Sequence, residues 1–309
     1  MYPRKCVCCQ NGIIEGPYDI CSFCGWEDDE VQNNDEYYSG GANKESLIEC
    51  RMKYLSKTGE WINNIRIPIL EDTDIVKAFY TTIDNCAWKY GKEGATENVL
   101  RLAKTMGTDT DHMIMLNQTH TDAVRVVTLS DGGEMVNRPL TKEGFDGMVT
   151  NEKGLMLCTV EADCVPVYIL DPVKKAIGMV HSGWRGTAGI ISSNAVKLMV
   201  KEYGSNPKDI MVVIGPCICK NCYEVGAELK EEFAKNYSES EIERFFIPKE
   251  NGKYYLDLIK AIRIALVKCG IQNEKIEDTG VCTFESKNLC SWRRDNPVMR
   301  SMLTAIVLK

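Results

Sequence analysis

The chain has 309 residues, of which 44% are hydrophobic and 26% charged, and its formal net charge is -7. This is the composition of an ordinary globular protein with enough chain to bury a large core. The lack of a basic excess argues against nucleic-acid binding as the main task, and no run of about 18 uncharged apolar residues predicts a membrane span.

The chain is rich in cysteine and poor in histidine. There are 15 cysteines but only three histidines: His112, His120 and His181. The start, residues 1–6, has no apolar core typical of a secretory signal, so we expect a cytoplasmic protein. In that compartment the thiols are expected to be reduced, buried or bound to metal rather than joined in disulfides.

The first fifty residues differ in composition from the rest, because they hold three Lys or Arg and ten Asp or Glu. Two C-x2-C pairs in this piece, eleven residues apart, can place four thiolates around one Zn²⁺ and leave no open position. We therefore expect a structural zinc at Cys6, Cys9, Cys21 and Cys24. Cys8 is a competing ligand, and free or redox-active thiols are the alternative. The turn at Trp26–Asp29 is expected to be a solvated acidic turn with a packed tryptophan.

Three segments of this piece resemble the cysteine-rich CPCC family. They are Cys6-Val-Cys-Cys9, Ile20-Cys-Ser-Phe-Cys-Gly-Trp-Glu-Asp-Asp29 and Gly40-Gly-Ala-Asn-Lys-Glu-Ser-Leu47. The match covers about residues 4–55. We expect a zinc-ribbon-like module over residues 1–60, a boundary within 56–72 and a large domain over 70–309.

The large domain alternates short apolar runs with helical patterns, which is typical of a mixed-sheet α+β domain. The predicted strands are Met113–Met115, Val124–Thr128, Leu155–Val160, Val165–Leu170, Ala176–Val180, Met211–Ile214 and Met302–Leu308. We expect one helix over Thr187–Tyr203 with Thr187 as its N-cap. A second has Val225, Leu229 and Phe233 on one face. A third, over Leu258–Cys269, ends at Gly270.

Residue types that often bind metals follow two of the predicted strands and interrupt a third strand. His120, Cys164 and His181 would form a His2Cys set, and three protein ligands with an open fourth position are typical of a catalytic zinc. Taken singly, each is more often a structural residue. Asp163 favours a functional site over three structural residues, because an acid within an apolar strand needs a polar partner. We expect Asp163 to position water or a proton.

Residues 183–187 predict an anion site. Glycines such as Gly183 let the backbone approach a ligand, and Arg185 can hold phosphate or carboxylate with two hydrogen bonds. A tight turn with Arg185 in a surface ion pair is an equally good interpretation. No P-loop or Rossmann glycine pattern is present.

Two further groups are candidate sites. Cys217, Cys219 and Cys222 are close in sequence, but the single residue between Cys217 and Cys219 is poor geometry for a zinc knuckle. We therefore favour loop thiols over another metal site. Arg293 and Arg294 form a basic pair for contacting substrate, with a solvated face or an ion pair as the alternative.

The large domain resembles the YfiH/YlmD family, which is often labelled polyphenol oxidase or laccase domain, over about residues 75–309. The motifs that carry the resemblance are Gln118-Thr-His-Thr-Asp-Ala-Val124, Ala162-Asp-Cys-Val-Pro-Val167, Val180-His-Ser-Gly-Trp-Arg-Gly-Thr187, Ile214-Gly-Pro-Cys-Ile-Cys219, Cys222-Tyr-Glu-Val225, Leu256-Asp-Leu258, Val281-Cys-Thr283 and Ser291-Trp-Arg-Arg-Asp295. The chain departs from the family at Thr121, Ser182 and Trp292, and residues 76–100 lack its glycine-rich early motif.

The resemblance implies an α/β/β/α-type sandwich and a zinc ion at His120, Cys164 and His181 beside a purine nucleoside pocket. We expect Gln118, Gly183, Arg185 and Arg293 to contact the substrate, with Asp163, Cys164 and Arg185 as catalytic residues. Phosphate is the expected co-substrate, and a homodimer is possible. Laccase chemistry needs on the order of ten imidazoles for its copper ions, and the chain has three.

The function that the resemblance implies is phosphorolysis of purine nucleosides, with deamination of adenosine as an additional activity. A second hypothesis is a hydrolase or amidase acting on a cell-wall precursor, with Cys164 as a nucleophile activated by His181. A third is a partner-binding module without enzymatic activity.

Overall fold

The structure is a computed structural model. It describes residues 2–9, 12–35, 38–47, 49–50, 54, 64–82, 88, 95–139, 144–296 and 301–309. The chain divides into two units, Met1–Asn63 and Asn64–Lys309. Within the described ranges, no helix is long and apolar enough to cross a membrane.

The first unit is built around the cysteine pairs. Strands β1 (Arg4–Lys5) and β2 (Ile13–Ile14) pair antiparallel, so that the first C-x2-C pair lies in the turn between them. Helix α1 (Glu30–Asn34) follows the second pair. Four cysteines, Ile14, Trp26 and Leu47 supply the buried core of this unit, which is too small to be stabilised by apolar burial alone.

The acidic turn of the first unit is not solvated, so that prediction is wrong. Asp28 is 2% exposed and pairs with the Arg4 guanidinium at 2.8 Å. Asp29 is 7% exposed and caps α1 by accepting the amide of Val31 at 2.8 Å. Both carboxylates are buried because each has a partner that compensates for lost hydration. Trp26 is packed as expected.

The second unit contains most of the regular structure. Its strands are β3 (Asn64–Arg66), β4 (Val76–Thr81), β5 (Met113–Met115), β6 (Val124–Val126), β7 (Gly147–Thr150), β8 (Met156–Glu161), β9 (Val165–Asp171), β10 (Ala176–Ser182), β11 (Met211–Ile214), β12 (Glu224–Val225), β13 (Phe246–Pro248), β14 (Tyr254–Leu256), β15 (Ile276–Asp278) and β16 (Met302–Leu308). Its helices are α2 (Pro68–Glu71), α3 (Ala95–Met106), α4 (Trp184–Ala188), α5 (Ile191–Tyr203), α6 (Leu229–Phe233), α7 (Glu239–Ile242), α8 (Leu258–Lys268) and α9 (Trp292–Asp295). Strand β3 and helix α2 occupy part of the predicted boundary segment and belong to this unit.

Two mixed sheets organise the second unit. The six-stranded sheet has the order β15-β11-β9-β10-β7-β6, and the five-stranded sheet has the order β3-β4-β16-β8-β5. The pairs β11–β15, β6–β7 and β5–β8 are parallel, and the other pairs in these sheets are antiparallel. A smaller sheet has the order β12-β14-β13. The predicted mixed-sheet α+β class is confirmed.

The sheets form layers because their central strands are apolar on both faces. Along β9, Val165, Val167 and Ile169 pack in one core with residues of α5 and α8. Tyr168 and Leu170, which point to the opposite face, pack in a second core with residues of the five-stranded sheet. The two sheets therefore stack face to face, with helices outside the six-stranded sheet. This is the arrangement expected of the predicted sandwich.

Two helix predictions need correction. The helix predicted over Thr187–Tyr203 is broken at Gly189 and at Ile190, whose φ is 53°. A Cβ at Gly189 would lie 2.4 Å from the Cβ of Asp122, so the glycine allows the chain to pass close to that residue. Thr187 is not the N-cap: it lies inside α4, which begins after Gly183.

Val225 does not lie on the helix face predicted for it with Leu229 and Phe233. It lies in β12 and pairs with Tyr254 of β14. Only Leu229–Phe233 is helical. The third predicted helix is confirmed as α8, and Gly270 follows its end with a φ of 101°.

Candidate active site and metal centres

The four cysteines of the two C-x2-C pairs come together as the spacing predicts. Their sulfur atoms lie within 4.8 Å of one another, with 3.6 Å between Cys6 and Cys24 and 3.5 Å between Cys9 and Cys21. Gly12 is needed here, because a Cβ at that position would lie 2.3 Å from the Cys21 sulfur. Cys8 is buried beside this group of four but is not part of it. The arrangement can hold one tetrahedral metal ion.

His120, Cys164 and His181 also converge, although they lie on three separate segments. His120 follows β5 with a φ of 64°, Cys164 lies in the turn between β8 and β9, and His181 belongs to β10. Their ligand atoms lie within 4.8 Å of one another. The Cys164 sulfur is 3.8 Å from Nε2 of His120, and the two imidazole rings meet edge to face at 5.0 Å. Three ligands with solvent on the His120 side leave room for a fourth.

Asp146, which the sequence analysis missed, holds this cluster together. Its carboxylate accepts from Nδ1 of His181 at 2.9 Å, which directs Nε2 of that ring towards the cluster. It also accepts the backbone amides of His120 at 3.1 Å and Thr121 at 2.7 Å. One buried acid therefore orients one ligand through its ring and another through its backbone. The signal available in the sequence was an aspartate directly before the apolar strand β7.

The protonation of the cluster follows from these contacts. Burial, the largest influence, raises the pKa of the Cys164 thiol, but His181 and His120 outweigh it and lower the pKa to about 6. Burial also lowers the pKa of His181, but the Cys164 thiolate and Asp146 outweigh it and raise the pKa to about 10. At neutral pH the pair is a thiolate and an imidazolium, and a metal ion that binds there displaces the imidazolium proton.

Gly183 lies against the cluster. A Cβ at this position would lie 2.9 Å from Cδ2 of His120 and 3.0 Å from the Cys164 sulfur. Gly183 is thus required for the close approach of the backbone to these two side chains. This contact places it beside the cluster, and its predicted role in binding substrate stays a prediction.

A cavity of about 500 Å³ opens beside the cluster, a size that suits a small-molecule ligand. Aromatic and apolar side chains make up much of its wall, with a few polar groups. The lining includes His120, Cys164, His181, Trp184, Arg185, Tyr223, Trp292 and Arg293. Burial raises the pKa of Tyr223 to about 12, so its hydroxyl stays protonated.

Two predicted site residues line the cavity but already have protein partners. The amide of Gln118 donates to the carbonyl of Val160 at 2.8 Å and accepts the amide of Val160 at 2.9 Å. Asp163 accepts the hydroxyl of Thr283 and the backbone amide of Arg293, each at 2.6 Å. These contacts favour positioning roles, with Asp163 joining three segments of the wall.

The two predicted basic residues differ in their surroundings. The guanidinium of Arg185 stacks over the Trp184 ring at 4.3 Å, and within the described residues it forms no ion pair. Arg293 lies over the Tyr223 ring at 5.1 Å and donates to the carbonyl of Glu224 at 3.1 Å. Arg185 is therefore better placed to hold an anion. The early motif of residues 76–100 lies partly outside the described residues.

A second buried acid near the cluster was not assigned a role from the sequence. Glu161, at the end of β8, is 1% exposed and accepts the Thr304 hydroxyl at 2.9 Å. Burial is the main reason that its pKa rises to about 7. Its other carboxylate oxygen has no hydrogen-bond partner among the described residues.

Comparisons with known proteins agree with this architecture. Among relatives, the purine nucleoside phosphorylase YlmD of Bacillus subtilis (strain 168) is 30% identical over 280 residues, which cover 90% of this chain and 91% of the relative. Adenosine deaminase RL5 from an unknown prokaryotic organism is 32% identical over 188 residues, or 60% of this chain and 70% of the relative. The crystal structure of Bacillus licheniformis hypothetical protein YfiH matches with a TM-score of 0.72 and 30% identity, over 80% of this chain and 97% of that chain.

Two family models match separate parts of the sequence. The model described as cysteine-rich CPCC matches residues 4–61, and the model described as multi-copper polyphenol oxidoreductase laccase matches residues 82–309. The resemblance to both families is confirmed. The chain therefore belongs to the laccase-domain family of YfiH and YlmD, with a cysteine-rich CPCC domain before the laccase domain.

Proposed function

We propose that this protein is a purine nucleoside phosphorylase that acts in the cavity beside His120, Cys164 and His181. The observation that carries the proposal is the convergence of this cluster, Arg185 and an aromatic wall on one cavity of about 500 Å³. The relative named purine nucleoside phosphorylase, which aligns over nine tenths of both chains, supports the same activity.

The reaction makes two demands on the protein. A phosphate oxygen forms a bond to C1′ of the ribose while the bond from C1′ to the purine nitrogen breaks and its electron pair leaves with the base. The proton lost by hydrogen phosphate balances the proton gained by the base, so the products are a free purine and ribose 1-phosphate. The site must therefore hold an anion against C1′ and accommodate a departing base.

The cavity supplies groups for both demands. Arg185 supplies a planar, permanently charged donor pair for phosphate. Helix α4 has only five residues, so we assign the anion to the guanidinium rather than to the helix N-terminus. Trp292 offers a ring face against which a purine can stack. Trp184 and Tyr223 add to the aromatic wall, and Arg185 and Arg293 already cover one face of each.

The residues of the cluster fit zinc, and we assign Zn²⁺ to His120, Cys164 and His181. Two imidazoles and one thiolate are ligands that zinc prefers, and the Asp146–His181 hydrogen bond is the usual support for such a ligand. When bound, zinc supplies a Lewis acid at the cavity. We assign a second, structural zinc to Cys6, Cys9, Cys21 and Cys24, because that set is closed.

Two other activities have specific support. Deamination of adenosine, suggested by the relative named adenosine deaminase, would use the same cavity and release ammonia without phosphate. The hydrolase hypothesis gains from the low pKa of Cys164, about 6, and from the Asp146–His181 pair, which together resemble an activated thiol. Zinc content separates the hydrolase hypothesis from the other two activities, because a Cys164 thiolate that binds zinc is not a free nucleophile.

The role of Arg185 provides a test. Arg185→Ala should raise the KM for phosphate by about 10- to 100-fold, the value of one charge-assisted contact, and change the KM for nucleoside much less. Arg185→Lys should recover part of the loss, because the charge remains. Steady-state kinetics at varied phosphate measure both constants. The control is Arg66→Ala, since the Arg66 side chain is 74% exposed and does not line the cavity. An unchanged phosphate KM in Arg185→Ala would contradict the assignment.

A further inference from the structure

A third group of metal-binding side chains lies in the second unit, apart from the His120–Cys164–His181 cluster. It consists of Cys219, Cys222, Cys282 and Glu285, whose ligand atoms lie within 4.8 Å of one another. In the sequence these residues form a C-x2-C pair and a C-x2-E pair that are far apart. The spacing within each pair is the one seen in the cysteine cluster of the first unit.

The fold brings the two pairs together through backbone pairing. Cys217 forms an isolated parallel bridge with Cys282. The Cys217 amide donates to the carbonyl of Val281 at 3.2 Å, and its carbonyl accepts the amide of Thr283 at 3.0 Å. Cys217 itself is buried outside the group. The objection based on the short spacing of Cys217 and Cys219 therefore does not apply, because the remaining donors come from the second pair.

The distances match those of a tetrahedral zinc site. With Zn–S bonds of about 2.3 Å and Zn–O bonds of about 2.0 Å, the edges between sulfur and oxygen are about 3.5 Å. Glu285 Oε1 lies 3.5 Å from the Cys222 sulfur and 3.8 Å from the Cys219 sulfur. The Cys219 amide also points at the Cys282 sulfur at 3.3 Å, a contact that stabilises a thiolate.

The turn that carries Cys282 and Glu285 is held in place from the other side. One guanidinium nitrogen of Arg294 donates to the carbonyls of Thr283, Phe284 and Ser286 at 2.8 to 3.0 Å. The two metal ligands of this turn, Cys282 and Glu285, therefore lie on a backbone that is already ordered. Such an arrangement reduces the entropic cost of assembling a metal site.

From this geometry we propose that Cys219, Cys222, Cys282 and Glu285 bind a structural Zn²⁺. Three thiolates and one carboxylate suit zinc, and a closed set of four protein ligands leaves no position for substrate. The site stands apart from the proposed function, since it requires no nucleoside and no turnover.

The position of the site suggests what it stabilises. The segment that supplies the first pair also supplies Ile218 and Tyr223 to the cavity wall. The Ile218 amide donates to the carbonyl of Asp163 at 3.0 Å, and Thr283, next to Cys282, donates to the Asp163 carboxylate. A zinc ion here would fasten the two loops that flank Asp163 and so stiffen one side of the cavity.

Zinc content of the full-length protein tests the proposal. Cys222→Ser and Cys282→Ser should each carry one zinc per chain less than the unmodified protein after equal exposure to zinc and dialysis under reducing conditions. Cys269→Ser is the matched control, because Cys269 is a half-buried thiol outside the three groups. Cys269→Ser should keep the full zinc content. His181→Ala should keep the zinc bound by Cys219, Cys222, Cys282 and Glu285. Equal zinc in the unmodified protein and in both variants would overturn the proposal.

A measurement without substitution covers the case in which the variants do not fold. Alkylation of Cys219 and Cys222, both half-buried, is followed by peptide mass spectrometry in the unmodified protein. We expect slow alkylation in the presence of zinc and at least tenfold faster alkylation after a chelator. Equal rates with and without chelator would contradict a metal site. Protection lifted only by a reductant would indicate a disulfide instead and would also overturn the proposal.

Discussion

His181→Ala should remove one zinc per chain and reduce nucleoside turnover by more than about 100-fold, beyond the effect typical of losing an outer partner of a metal ligand. The reason is that His181 supplies one of three ligands and also connects the cluster to Asp146. Elemental analysis and a nucleoside assay on the same preparation measure the two effects together.

His112→Ala is the matched control for this variant. His112 is the third histidine of the chain; it is exposed and pairs with Asp109 at 2.7 Å. It should keep the full zinc content and full turnover. Turnover that survives in His181→Ala, with the zinc content reduced, would separate the metal from the activity and contradict the account of the site.

Asp146→Asn should weaken zinc binding at the same cluster by about 10- to 100-fold, the usual consequence of losing the partner of a ligating histidine. It should also lower the free energy of unfolding by about 1–3 kcal/mol, because the buried Nδ1–H of His181 loses a charged hydrogen-bond acceptor. An amide also offers one acceptor oxygen where the carboxylate offers two, and it faces the amides of His120 and Thr121. Zinc competition with a chelator and urea unfolding measure the two effects.

Asp171→Asn is the control that separates the loss of zinc affinity from the loss of stability. Asp171 is also fully buried, and it accepts the amides of Val173 and Lys174 in the turn after β9. Its substitution should cost stability and leave zinc affinity unchanged. An Asp146→Asn variant with normal zinc affinity would show that the carboxylate does not orient the ligands.

The same carboxylate makes stability depend on pH. Burial, the largest influence, raises the pKa of Asp146, but His181 and Thr121 outweigh it and lower the pKa to about 2. An unfolded aspartate has a pKa of about 3.9. The contribution of Asp146 is therefore complete above about pH 4 and lost as the pH falls towards about 2. Acid unfolding of Asp146→Asn should show a smaller slope in that interval than the unmodified protein.

The sequence predicted the parts of this molecule whose signals are local. The two C-x2-C pairs indicated the first cysteine cluster because a knuckle is built from neighbouring residues. Strands such as β9 and β10 were predicted because both of their faces are buried, so that they read as continuous apolar runs. The predicted strand ends suggested the grouping of His120, Cys164 and His181, and the resemblance supported it, since spacing across distant segments carries no geometric information.

The features that were missed depend on tertiary contacts. Asp146 was given no role from the sequence, because only the pairing of β7 with β10 places it against His181. Glu285 carries no local signal for metal binding, and only the pairing of Cys217 with Cys282 brings it near Cys219 and Cys222. The break between α4 and α5 lies where the chain passes close to Asp122, which the glycine at position 189 allows.

The central claim is phosphorolysis, and a product balance tests it most directly. Full-length protein is incubated with inosine and inorganic phosphate, and base, sugar phosphate and remaining phosphate are quantified by chromatography and phosphorus NMR. We predict hypoxanthine and ribose 1-phosphate in equal amounts, phosphate consumed in the same amount, and no release of base without phosphate. Free ribose in place of ribose 1-phosphate, or base released at the same rate without phosphate, would contradict the account.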